Sequence, residues 1–433
     1  MLSTSRLGLG GCQSFQLAMG GTYVPNRSVD FRHSLQYFPG MDRSDYDFRL
    51  ASEQPVPYPE LRELREQCPV VHSDRYGGHW ILLGYEQVHE VAIDPATFKS
   101  GEGVPFPSNP FPPVPRIEVD PPLHKQFRAP LLEVFSPRAV GAHEPHYREV
   151  IGELLDAVTP SGEFEAVAQL LQPMTGYVAA QFLGFPEGDR PKLSHWAARV
   201  LANGDDINQV MLEMLAYFGE VYEARKAEPR DDVPSLLISM DIDGEPMSLA
   251  YFVLTMSTIF VGGLDTTVSA GSHILEWLAT HPEERSLLRA RPELIPGAVE
   301  EFLRYFTPLM SLRRVATRDC EVDGHPIKEG ETVVLHWLAA NHDPAEFEAP
   351  DEVRLDRRPN RHFAFGAGIH RCIGSNVARQ ELRVLLELVL DRLGDWELIP
   401  ERPTRRYPAV VRGIDELWLR CTPGGLESAS ALA

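Results

Sequence analysis

One cysteine of this 433-residue chain stands where a thiolate can do chemistry. Residues 363–374 read Phe-Ala-Phe-Gly-Ala-Gly-Ile-His-Arg-Cys-Ile-Gly, so Gly366, Gly368 and Gly374 flank Cys372, with His370 two positions before it. Glycine lets a backbone turn tightly and come close to a bulky group. The spacing of Val377, Leu382, Leu385, Leu386 and Val389 predicts a helix directly afterwards. Cys372 then lies just ahead of a helix N-terminus, where the dipole and the loop amides favour its thiolate. Such a sulfur suits a soft metal centre or nucleophilic attack. A structural cysteine beside a tight turn would use the same residues.

Two further constellations carry chemistry. The apolar segment 248–280 has the centre Phe260-Val261-Gly262-Gly263-Leu264-Asp265-Thr266-Thr267. Each glycine costs a helix roughly 1 kcal/mol, and Asp265 places an acid in apolar surroundings. Broken local rules of this kind mark either a functional site or a kink with a satisfied acid. The adjacent carboxyl and hydroxyl of Asp265 and Thr266 make a pair able to pass protons. Earlier, Asp120-Pro121-Pro122 opens a helix on which His124 and Arg128, four apart, share one face. That pair can hold two carboxylates, or it is an ordinary solvated face.

The elements that must position these groups read as follows. A helix is expected over 61–68, two strands at 70–71 and 79–83 around Tyr76-Gly77-Gly78, and a helix over 85–93 closed by Asp94-Pro95. Residues 101–122 contain Pro105, Pro107, Pro110, Pro112, Pro113, Pro115, Pro121 and Pro122, which forbid a helix or an internal strand. The apolar members of this long loop, Val104, Phe106, Phe111, Val114 and Ile117, either line a pocket or stiffen a surface loop. Residues 137–240 are mainly helical, with breaks near Pro160, Pro186 and Pro229. A helix over 293–306 carries Glu301-x-x-Arg304, whose ends meet on one face. Strands follow at 309–316 and 332–335, and a turn between strands at 407–413.

Composition narrows the class. With 41 basic against 62 acidic residues, a net charge of −21, the chain lacks the basic face that nucleic acid requires. The hydrophobic share of 43% supports a sizeable core. Five cysteines, Cys12, Cys68, Cys320, Cys372 and Cys421, are odd in number and show no CxxC pairing, which reads as free thiols in a reducing, cytoplasmic compartment. No apolar run is expected to approach the ~20 residues of a membrane span. The first 20 residues lack an apolar h-region, interrupted as they are by Gly8, Gly10, Gly11, Gln13, Ser14 and Gln16. Residues 1–40 are expected to be a disordered extension, 41–422 one domain and 423–433 a disordered tail.

The pattern Phe-Gly-x-Gly-x-His-x-Cys-x-Gly resembles the haem-binding loop of the cytochrome P-450 superfamily of haem-thiolate monooxygenases. The resemblance runs from about residue 60 to 420 in order and spacing, and is nearest soluble bacterial members such as camphor hydroxylase. It implies a mainly α fold with a smaller β region, an α-helical triangular prism around a buried haem b. By it Cys372 is the thiolate ligand and the metal site, with Phe365 beside the sulfur and Gly366 and Gly374 shaping the loop. His124, Arg128, Arg314 and His370 hold the haem propionates. Gly262 and Gly263 make room for oxygen, Thr266 is the oxygen-side alcohol, and Asp265 is the proton-relay acid. Phe106, Phe111, Val114, Thr258, Val261, Gly262, Leu309, Met310 and Val410 border the substrate pocket. Glu301, Arg304 and Arg357 build the fold.

The function implied is hydroxylation of a small hydrophobic compound, a terpenoid or an aromatic, with O2 and two electrons from NAD(P)H through a ferredoxin reductase and an iron–sulfur ferredoxin. Neither a membrane nor a nucleic-acid partner is implied. Alternatives are a peroxide-using haem-thiolate enzyme and a non-catalytic haem-based sensor. One departure bears on substrate: camphor hydroxylase carries a tyrosine in its covering loop that binds the substrate's ketone, and residues 97–119 here contain none. Basic residues Lys125, Arg128, Arg361, Arg371, Arg379 and Arg383 around the Cys372 side suggest a patch for an acidic ferredoxin.

Overall fold

The computed structural model of the protein describes residues 59–106, 117–202, 207–407 and 411–422. The two chain ends expected to lie outside the folded domain fall outside these residues.

Described in chain order, α1 (Pro59–Gln67) leads into the hairpin β1 (Val70–Ser73) and β2 (His79–Leu82). The tight link between the strands needs positive φ at Gly77 (89°) and Gly78 (91°). Next come α2 (Tyr85–Ile93), β3 (Phe98–Lys99) and the short α3 (Leu123–Arg128), α4 (Leu131–Val134) and α5 (Pro137–Gly141). The helical body consists of α6 (Glu144–Val158), α7 (Gln172–Phe182), α8 (Arg190–Ala202), α9 (Ile207–Ala227), α10 (Val233–Ile238) and α11 (Leu249–Thr280), followed by α12 (Pro282–Ala290) and α13 (Ile295–Phe306). Beyond them lie β4 (Ser311–Ala316), β5 (Thr332–His336), α14 (Trp337–Asn341), α15 (Ser375–Arg392) and the C-terminal strands.

The main sheet runs β1-β2-β5-β4-β3, with β5 parallel to β2 and the other pairs antiparallel. Val70, Leu82, Val333 and Leu335 face α2 and Phe363, forming a small core. A second patch on the sheet gathers Leu61, Val71, Ile81, Val334 and Leu338 under α1. Phe106 (7% exposed) and Met310 (0%) belong to this patch. Phe106 stacks near His79, with ring centroids 4.5 Å apart. Both are residues expected on a pocket wall, and their burial in this layer removes an aromatic and a methionine surface from water.

The centre of the fold is α11, about 48 Å long at 1.5 Å per residue. Ser248 caps it by accepting from Tyr251 N (3.2 Å), and it ends at His281 before Pro282. By length and mean hydropathy (1.4) it could cross a membrane, so the sequence reading undercounted this apolar run. Part of its surface is packed by protein, with α9, α10, α7, α13 and α15 against it. Phe252, Met256, Phe260 and Leu264 enter one core cluster, and Val268, Ile274, Leu275 and Leu278 enter another.

Candidate active site

The cysteine loop is built by the backbone. Asn341 Oδ1 receives Phe363 N (2.6 Å), Phe363 O receives Gly366 N (2.8 Å), and Phe365 O receives Cys372 N (2.8 Å). Gly366 (φ 65°) and Gly368 (φ 67°) occupy left-handed conformations. At Gly368 a Cβ would fall 2.2 Å from Ala92 O, so any side chain there would push the loop off α2. At Gly374 a Cβ would make only an ordinary 3.9 Å contact with Cys372 Sγ. Cys372 is exposed, and α15 starts three residues later.

Cations gather beside this loop. On α3, His124 meets His370 with ring centroids 4.4 Å apart, and Arg128 donates to Arg371 O. Burial lowers the Arg128 pKa, while the nearby Cys372 sulfur raises it. Arg314 on β4 is 2% exposed and donates to Arg313 O (2.8 Å). Burial pulls its pKa down to about 10 against the opposing charge of Asp120. A guanidinium desolvated to this degree is a strong seat for an anion. Asp120 ties the set together: its carbonyl accepts His124 N (3.1 Å), and its carboxylate accepts Ser100 N (2.8 Å) and Gly101 N (3.0 Å). Glu118 accepts Val104 N (3.0 Å), and Arg313 donates to Gly103 O (2.9 Å) and to Glu102 O. Both stems of the proline-rich stretch are thereby pinned. Sequence reasoning quoted Asp120 in its motif and gave it no task.

The middle of α11 is open. Gly262 and Gly263 are exposed although Phe260 and Leu264 beside them are buried, and a Cβ on either glycine would meet nothing within 4 Å. Thr266 Oγ1 donates to Gly262 O (3.1 Å), and Asp265 is half-buried. Thr258 donates to Leu254 O (2.7 Å) and is half-buried, as are Val261 and Leu309; Leu309 bridges to Val411. Phe111, Val114 and Val410 lie outside the described residues. An exposed cysteine sulfur, open space in the middle of the central helix, and buried cations able to take carboxylates fit a flat, dianionic, sulfur-ligated group such as haem.

Behind the loop, Glu301 and Arg304 on α13 are both 0% exposed. Glu301 accepts Arg304 Nε and Nη2 (both 2.8 Å), Arg357 Nε (3.0 Å), Arg354 N (2.9 Å) and Asn360 Nδ2 (3.1 Å). Burial alone would raise this carboxyl, but the Arg304 and Arg357 contacts outweigh it and hold it below the usual range. Arg304 also donates to Asn341 O, Pro350 O and Glu352 O. The sequence reading missed the neighbouring Glu300, which takes Arg379 and His362 (2.6 to 3.0 Å). The adjacent acids at 300 and 301 were its visible signal.

Comparison with known proteins agrees with this geometry. A family model described as cytochrome P450 matches residues 152–411. The chain is 29% identical to linalool 8-monooxygenase of Pseudomonas putida, over 87% of this chain and 98% of that one. It is 33% identical to cyclomarin C epoxidase CymV of Salinispora arenicola, over 78% and 89%. The solved structure of cytochrome P450 CYP109Q5 from Chondromyces apiculatus superposes with a TM-score of 0.80 at 30% identity, covering 89% of this chain and all of that one. Fold, family match and relatives agree: the chain belongs to the cytochrome P450 family, with that family's monooxygenase activity and cysteine-ligated haem b.

Proposed function

We propose that the protein hydroxylates a small, neutral, hydrophobic compound, a terpenoid or an aromatic, as a cytoplasmic enzyme supplied with electrons by an iron–sulfur ferredoxin and its NAD(P)H-dependent reductase. The observation that carries this reading is the open stretch of α11 at Gly262 and Gly263, with the Thr266 hydroxyl one turn on and Asp265 beside it. Linalool 8-monooxygenase, by its name, acts on a small terpenoid. The C-terminal cations are already engaged: Arg406 pairs with Glu276 (2.5 Å), and Arg405 with Asp415 (2.7 Å) and Glu416 (3.1 Å). A substrate carboxylate would have to compete with these ion pairs for either guanidinium.

In this reading Cys372 ligates the haem iron, and Phe365, Gly366 and Gly374 shape its loop. His124, Arg128, Arg314 and His370 hold the two propionates. The haem, once bound, supplies oxygen activation, with the thiolate pushing electron density toward the iron. The chain's own residues do the rest. Thr266 spends its hydrogen on Gly262 O, so toward the open side Oγ1 offers lone pairs and holds the donor hydrogen of a water or of the reacting oxygen. The Asp265 carboxyl passes protons inward to that position. Thr258, Val261 and Leu309 present apolar atoms to the substrate and exclude water. Glu301, Arg304 and Arg357 keep the structure behind the loop rigid.

For the redox partner, the cations around Cys372 divide into two groups. Arg379 is clamped by Glu300, and Arg383 is paired with Glu144 and Glu387. Lys125 and Arg371 are exposed, and Arg361, also exposed, has Glu346 only at 4.0 Å. Lys125, next to the His124 that meets His370, and Arg371 make a basic spot on a chain of net charge −21, suited to an acidic ferredoxin.

The test is a Soret titration of the ferric protein against terpenoids, alkyl-aromatics, aromatic acids and fatty acids. A low-to-high-spin shift with compact neutral compounds is expected. A shift with carboxylic acids alone would refute the substrate class.

A further inference from the structure

The Cys372 loop carries a charged pair that the proposed mechanism does not use. On α15, Arg379 donates to both oxygens of Glu300, Nε to Oε1 at 2.6 Å and Nη2 to Oε2 at 2.8 Å. Its guanidinium lies over the Phe365 ring, with Cζ 4.4 Å from the centroid. Phe365 in turn accepts the Cys372 amide through its carbonyl (2.8 Å). A third group completes the clamp. His362 Nδ1 accepts Ala364 N (3.2 Å), so Nε2 carries the hydrogen and donates to Glu300 Oε2 (3.0 Å). Burial alone would raise the Glu300 carboxyl, but the His362 and Arg379 hydrogen bonds outweigh it and bring it to about 2. The acid is therefore ionised throughout the working range. Bidentate contact and stacking on a ring are both properties of a planar guanidinium that lysine lacks.

We propose that Arg379 is a positioning residue for the cysteine thiolate: held by Glu300 and laid on Phe365, it fixes the residue whose carbonyl holds the Cys372 amide, and the Arg379–Glu300 pair balances the charge that the bound haem feels from its sulfur side. Reduction adds one negative charge at the iron, so a nearby cation favours it and a nearby anion opposes it. The paired charges nearly cancel. Removing one member uncovers the other, and the two removals act in opposite directions.

This inference rests on Cys372 being the ligand, and the experiment keeps the two claims apart. Holoprotein is prepared as wild type, Arg379→Gln, Glu300→Gln, the double variant and Arg379→Lys. Each is examined by its ferrous carbon monoxide difference spectrum, its thermal midpoint and its spectroelectrochemical reduction potential. Arg379→Gln should lower the potential and Glu300→Gln should raise it, each on the order of tenfold in the ferric–ferrous equilibrium, or about 59 mV for one electron. The double variant should return close to wild type. Arg379→Lys should keep the potential nearer wild type than Arg379→Gln does, while broadening the thiolate-type spectrum because the ring is no longer held. Potentials that move in the same direction, or not at all, overturn the proposal, since loosening of the loop alone gives no opposition of sign. A wild-type protein without a thiolate-type spectrum would refute the reading of Cys372 itself.

Discussion

Glu301→Gln should be among the most damaging single-atom exchanges in this protein, although residue 301 touches no substrate. In the native fold the carboxylate accepts from two guanidinium groups, one backbone amide and one side-chain amide, and nothing about it is exposed. The amide keeps one acceptor oxygen and turns an NH2 group toward donors. Arg304 is then a buried cation without its counter-charge, and Arg357, whose side chain is 6% exposed, loses its own. Breaking one partner out of a buried pair costs about 3–5 kcal/mol, against a total stability of about 5–15 kcal/mol for a folded protein. Denaturant unfolding of the haem-loaded protein measures the loss. The pH dependence gives an independent reading. A carboxyl whose folded pKa is depressed contributes stability that is present above its unfolded pKa of ~4.3 and is lost as pH falls through the folded value. The wild type should therefore lose stability on acidification more steeply than the variant. A variant within about 1 kcal/mol of wild type, with the same acid slope, would refute the argument, because surface substitutions already fall within ~0.5 kcal/mol.

Other expectations concern the site and the helix behind it. Thr266→Ala should divert electrons into hydrogen peroxide and cut product per NAD(P)H by up to roughly a hundredfold, the lower end of what a positioned proton-transfer group supplies, while Thr266→Ser stays coupled; equal coupling in all three removes the hydroxyl from the reaction. Glu381 on α15 is 3% exposed, its Oε2 has no hydrogen-bond partner among the described residues, and burial pushes its pKa well up. Its stability contribution is present below ~4.3 and lost as pH rises toward the folded value, so Glu381→Leu should gain on wild type by about 1.4 kcal/mol per pH unit through that window; parallel pH–stability curves would show the acid to be solvated. Charge reversal at Lys125 and Arg371 together should slow reduction by an iron–sulfur ferredoxin and flatten its salt dependence, and an unchanged rate and salt slope would remove the basic spot from partner binding.

Much of the fold was legible because local chemistry and tertiary structure agree. The helix over 85–93 and the Ser248-capped helix ending before Pro282 appear with the boundaries their caps and prolines announce. The cysteine loop was readable from its glycines, one of which meets Ala92 O when given a Cβ. Pairings across long sequence separations were not legible. Nothing in residues 101–122 says that Phe106 packs beside His79 against the sheet, because an aromatic residue is equally at home on a pocket wall and in a core layer. The partners of Asp120 come from residues 100 and 101, and those of Glu300 from positions 362 and 379, where no local periodicity links donor to acceptor. The basic cluster misled in part for the same reason: counting Arg379 and Arg383 could not reveal the glutamates that neutralise them.

The adjacent acids of α13 tie together two stretches of chain that the cysteine loop joins. Glu301 secures the segment from Arg354 to Asn360, and Glu300 secures His362 and Arg379, so one turn of helix organises the chain on both sides of the cysteine loop. A disturbance of that single turn is therefore felt before and after Cys372 at once, and the two flanks of the loop cannot drift independently.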